Sequence, residues 1–100
     1  MAPLHKASSV RSPSAVSCFS VLAAANPSIL PRVLGVFAKL GMVPSKWYSV
    51  VTGRCRDELH IDIQMTGLAP AKAEHIAQSL RRIVFVDTVL TSEKRDLRSA

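Results

Sequence analysis

The spacing of apolar residues along this chain switches between two and three-to-four in the order strand, helix, strand, strand, helix, strand, packed between Val16 and Thr91. Val16 to Ala24 alternates, with Phe19, Val21 and Ala23 on one face and Cys18, Ser20 and Leu22 on the other, and its β-branched and aromatic content favours a strand. Asn26-Pro27-Ser28 breaks it. Ser28 is placed to cap a helix, and Pro31 falls in the first turn, where a missing amide hydrogen is tolerated. Ile29, Leu30, Val33, Leu34, Val36, Phe37 and Leu40 then recur at three and four, so one wide helix face must be buried. Gly41 is positioned to take the left-handed conformation that closes a helix, and Pro44 prevents its continuation.

Ser45 to Thr52 reads as extended, with Trp47, Tyr48, Val50 and Val51 as strand formers, and Gly53 to Asp57 is a short charged turn into a second strand pattern. An antiparallel hairpin is expected there. Leu59, Ile61, Ile63 and Met65 alternate with His60, Asp62, Gln64 and Thr66 in the cleanest two-residue pattern of the chain. Gly67 to Pro70 is the next break, and Ala73, Ile76, Ala77, Leu80 and Ile83 keep helical spacing, with Arg81 and Arg82 where a helix dipole favours cations. Val84 to Thr91 is a last strand.

Two β-α-β halves with right-handed crossovers imply a ferredoxin-like α+β sandwich, a four-stranded antiparallel sheet with both helices on one face. The other face is left open, carrying Cys18, Ser20, Leu22, Trp47 or Tyr48, His60, Asp62 and Gln64. The aromatic of that set, Trp47 or Tyr48, is the expected contact surface.

One hundred residues, 48% of them hydrophobic, suffice for one core and no more. The expected organisation is an N-terminal tail over 1–15, one domain over 16–92 and a charged C-terminal tail over 93–100 with nothing to pack. The net charge of +6 raises the question of an anionic partner, but half of the excess sits on the two tails. Lys6 and Arg11 precede an apolar run, Ala15 to Ala25, as in a secretory signal, and the serine-rich, acid-free start suits an organelle transit peptide equally; Ser17 and Ser20 interrupt the run, and its removal would delete the first strand. Cys18 and Cys55 form no close-spaced pair, so a reducing cytoplasm is expected; no segment approaches the roughly 18 uninterrupted apolar residues of a membrane span.

Little in the chain points to reaction chemistry. Cys18 and Cys55 lack metal-site spacing, and His60 with Asp62 on one strand face has no third ligand nearby in sequence, so no metal or cofactor is expected. His75 and its neighbour Glu74 point apart on a helix. The loop Ala25-Asn26-Pro27-Ser28-Ile29-Leu30 is not the glycine-rich, arginine-ended phosphate cradle that enzymes on this architecture need. Base-stacking aromatics are missing from the third strand, and Phe19 in the first belongs to the core, so an RNA role rests mainly on charge.

Phe19 to Val89 resembles an ACT domain, the β-α-β-β-α-β amino-acid-sensing module, and more narrowly the small regulatory subunits of acetohydroxyacid synthase (acetolactate synthase). The residues that carry the resemblance are FSVLAAA running into Asn26-Pro27-Ser28-Ile29-Leu30, then ILPRVLGVFAKLGM, DELHIDIQMT and SLRRIVFVDTVLT. It implies a non-catalytic homodimer that docks on the catalytic subunit of a thiamine-dependent synthase of branched-chain amino-acid biosynthesis. It also implies that a branched-chain amino acid would sit at the dimer interface, held by the loop at Asn26, Ser28, Ile29 and Leu30, where first-turn amides offer positive ends to a carboxylate. Effector-binding members usually have an acidic or amide residue two before the proline and a glycine after it, where this chain has Ala25 and Ser28. They also often carry an asparagine soon after the helix-ending glycine, where Met42-Val43-Pro44 stands here. Regulation through subunit contact is therefore expected over tight effector binding, with a stand-alone amino-acid sensor as the alternative.

Overall fold

A central strand that alternates cleanly fixes the sheet on both of its sides. The computed structural model describes residues 15–95, in the order β1 (Ala15–Ala24), α1 (Ile29–Lys39), β2 (Lys46–Thr52), β3 (Glu58–Thr66), α2 (Pro70–Arg81) and β4 (Val86–Arg95). The strands form one antiparallel sheet in the order β2-β3-β1-β4. Register sets Phe19 opposite Ile63 and Thr91, and Val21 opposite Ile61 and Val89, so three strands turn their apolar residues to one side. Ile29, Val33 and Phe37 of α1 and Ile76, Ala77 and Leu80 of α2 enter the same buried cluster, so both helices cover that one face.

At roughly 1.5–3 kcal/mol for each fully buried large side chain, this cluster outweighs the weak intrinsic helix propensity of a valine-rich α1. The rings of Phe19 and Phe37 meet edge to face with centroids 6.1 Å apart, joining sheet to helix. Lys39 is the last residue of α1; the amides of Gly41 and Met42 donate to the carbonyls of Ala38 and Phe37, and Gly41 has φ +70°. That closing pattern is the one its position predicts.

Three expectations need correction. Ser28 stands before α1 but makes no capping bond, because its φ of −77° and ψ of −11° are already helical and its hydroxyl turns to Asn26. The last strand begins at Val86, since Val84 and Phe85 form a turn in which the Val86 amide donates to the Ile83 carbonyl. That strand then runs on to Arg95, through residues assigned to an unpacked tail, with Ser17 opposite Glu93 and Val16 opposite Lys94. An edge strand is held by backbone bonds and tolerates charged side chains, so apolar content underestimates its length. The N-terminal tail expected over 1–15 lies, but for Ala15, outside the described residues.

Trp47 pairs with Ile63 and packs half-buried against the core, whereas Tyr48 pairs with Asp62 on the open face, 59% exposed. Among the described residues no helix is long and apolar enough to cross a membrane.

The two glycines of the α1 region act in opposite directions. Gly35 lies inside the helix with nothing within 4 Å of where a Cβ would stand, while Gly41 holds a left-handed backbone. Gly35→Ala is expected to raise stability by about 0.5–1 kcal/mol and Gly41→Ala to lower it by about 1–2 kcal/mol, read from urea unfolding midpoints at constant m.

Candidate functional site

Four residues separate the end of β1 at Ala24 from the start of α1 at Ile29, and they must reverse the chain. Asn26 does this with both of its acceptors. Its side-chain Oδ1 accepts from the Ser28 amide at 2.9 Å and the Ser28 hydroxyl at 2.8 Å, and its backbone carbonyl accepts from the Ile29 amide at 3.0 Å. Asparagine suits the role because its amide oxygen mimics a backbone carbonyl in a turn. Two neighbouring turns brace the loop: the Ala25 amide donates to the Asp57 carbonyl and the Ala24 amide to the Phe85 carbonyl, each at 2.9 Å.

The four residues expected to hold a carboxylate are therefore not equivalent. The amides of Ser28 and Ile29 are already used by Asn26, and the Ile29 side chain is fully buried in the core. Pro27 has no amide hydrogen. Leu30, 38% exposed, keeps the one amide of the loop without an acceptor among the described residues. The loop can offer a ligand a single backbone donor and an apolar side chain, which is a weak anion site.

Sequence reasoning passed over Val84 and Phe85, which stand 61% and 53% exposed beside this loop. Phe85 has φ +77°, a left-handed conformation that is rare for a bulky residue and costs on the order of 1–3 kcal/mol. No glycine or asparagine marked the position, and a Val-Phe-Val run reads as strand.

On the open face, Ser20, His60 and Asp62 do come together: Ser20 Oγ lies 2.9 Å and Asp62 Oδ1 3.4 Å from the same ring nitrogen, His60 Nε2. A nucleophilic relay needs hydroxyl and carboxylate on opposite ring nitrogens. This cluster is a hydrogen-bonded patch of sheet surface. Cys18 is half-buried and Cys55 exposed, both free thiols. Among the described residues no three His, Cys, Asp or Glu side chains converge as metal ligands.

Two helices over one face of a four-stranded antiparallel sheet, in the order β-α-β-β-α-β, define a ferredoxin-like sandwich. The chain belongs to the ACT-like domain family, whose pattern it matches over residues 10–97. ACT domains are regulatory and non-catalytic, of an amino-acid-binding type. No curated protein matches the chain. Among solved structures it is similar to the ACT domain of GTP pyrophosphokinase from Chlorobium tepidum, with a TM-score of 0.66 and 12% identity over 77% of this chain and 96% of that one. It is also similar to the C-terminal domain of the MgtC protein from Mycobacterium tuberculosis, at 0.65 and 13% over 85% and 93%. The regulatory subunit of aspartate kinase from Thermus flavus aligns at 0.58 and 12%, over 85% of this chain and 54% of that one. At such identities the likeness is one of fold.

Asn26→Ala deletes an acceptor shared by two donors. Loss of about 1–2 kcal/mol of stability is expected, with Asn26→Asp retaining most of it, as measured by thermal melts of the three proteins side by side.

Proposed function

We propose that this chain is a non-catalytic regulatory subunit that acts through protein contact, with amino-acid binding weak or lost. The observation behind this reading is that Asn26 uses the Ser28 and Ile29 amides to close its own loop, leaving the Leu30 amide to meet a carboxylate. An amino-acid site on such a loop needs several free donors to repay the desolvation of a charged ligand. In the narrower form of this reading the chain is a homodimeric, cytoplasmic subunit like the small subunit of acetohydroxyacid synthase. Its partner is then the catalytic subunit of a thiamine-dependent synthase of branched-chain amino-acid biosynthesis. The support is the sequence resemblance around FSVLAAANPSIL.

A second reading, a stand-alone amino-acid sensor, draws on the exposed Val84, Phe85 and Leu30, which give the loop an apolar surround suited to a branched side chain. RNA binding has less behind it. Among the described residues Tyr48, on the edge strand β2, is the one Phe, Tyr or Trp on the open sheet face, and no such ring stands on the central strands there.

Calorimetry with valine, leucine and isoleucine discriminates the two leading readings. The subunit reading expects no saturable heat at millimolar ligand and co-purification of a thiamine-dependent synthase chain from the source cell. Saturable binding to the isolated protein, with no synthase recovered, would establish the sensor instead.

A further inference from the structure

The helix layer carries a groove that the fold itself does not use. It runs between α1 and α2, with a volume of about 550 Å³. Its floor is apolar: Val36, Leu40 and Ile83 line it and pack half-buried on the core. Its rims are cationic, with Arg32 and Lys39 on α1 and Arg82 at the end of α2, and no acid lines it among the described residues. α1 contains no Asp or Glu at all. The acid of α2, Glu74, is engaged elsewhere, accepting from Gln78 at 2.8 Å and lying 3.7 Å from Arg81, whose guanidinium also donates to the Val89 carbonyl of β4. Among the described residues Arg32, Lys39 and Arg82 make no ion pair.

Gly35 forms part of the same groove. A glycine inside a helix weakens it, and among the described residues nothing outside its own turn of helix stands within 4 Å of its missing Cβ. Internal packing does not require the glycine there; what its absent side chain does is keep the groove open.

We infer that this groove is a docking site for an acidic amphipathic helix of a partner protein. Charge complementarity selects an acidic occupant, and the apolar floor selects one with apolar side chains between its acids. Arg32 and Lys39 are seven residues apart on one helix, about 10 Å of rise, too far for one carboxylate or phosphate to pair with both. A helix bearing acids at the same seven-residue interval, with apolar residues between them, meets both cations and the floor at once. A second copy of this chain does not, because a two-fold contact here sets the same cations against each other. The inference holds whichever enzyme or receptor contributes the helix, and it is independent of the Asn26 loop.

The test uses the full chain and a fluorescently labelled synthetic peptide with glutamates at seven-residue spacing and leucines on the face between them, followed by anisotropy. Saturable binding is expected, weakened about tenfold or more by the double reversal Arg32→Glu/Arg82→Glu, and weakened likewise by Gly35→Leu, which fills the groove without altering charge. Circular dichroism checks that each variant is folded, and amide shifts on binding are expected to map to Gly35 and Ser79. A peptide with its leucines changed to serine, and a single-stranded RNA of equal charge, are expected to bind far more weakly. The inference is overturned if either control binds as well as the leucine peptide, if folded Gly35→Leu binds unchanged, or if no saturation is reached.

Discussion

Burial of Phe19, Val21 and Ala23 beneath both helices is the constraint on which the rest of this structure depends. β1 is hydrogen-bonded on both sides, so its alternation dictates which face of β3 and of β4 turns inward. A one-residue slip would send Cys18, Ser20 and Leu22 into the core and Phe19 out of it, separating the aromatic pair that ties sheet to α1. With that face settled, both crossovers must place their helices on it, and the interhelical groove and the loop leaving β1 follow from the same decision. The open face is the remainder, and it behaves as one: its polar groups answer each other, as Ser20, His60 and Asp62 do.

The brevity of the β1–α1 connection explains its chemistry. Ile29 has to reach the core immediately after the reversal, and Pro27 contributes no donor. Asn26 is left to satisfy the turn from its own side chain and carbonyl. A loop tied this tightly is rigid, but its rigidity consumes the amides through which it would hold a carboxylate. The same residue that makes the turn possible thus limits what the turn can bind.

The periodicity of the sequence revealed all six elements and the side of the sheet the helices cover, because burial imposes that periodicity wherever an element has a single apolar face. It failed where burial is not what holds the chain. Ser92 to Arg95 continue β4 through backbone bonds to Ala15, Val16, Ser17 and Cys18, and no apolar pattern reports such bonds. Phe85 turns in a left-handed conformation at a position no turn-forming residue announces. The role of Ser28 was misjudged for a related reason: residue type favours a cap there, but Asn26, two residues earlier, competes for the same hydroxyl and takes it. In the candidate loop the residues could be named in advance, whereas their spent hydrogen bonds could not, since occupancy of an amide is a matter of geometry.

Local preference and global fold agree over most of this chain, which makes the exceptions informative. Three stand out: a glycine within α1 that no neighbour requires, a phenylalanine held left-handed on the surface, and Arg56, left-handed at φ 56° between β2 and β3. Gly35 lies in the interhelical groove, and Val84, the residue before Phe85, lines that groove as well. Phe85 in turn accepts the bond that braces the end of β1. Gly35 and Phe85 thus lie near one another on the helix side of the molecule, whereas Arg56 turns the β2–β3 hairpin and an irregularity between Leu22 and Ala23 interrupts the pairing of β1 with β4. Phe85 is accounted for by the brace its carbonyl gives to β1; Gly35 answers to nothing the interior needs, and it is the departure that the proposed helix-docking groove would explain.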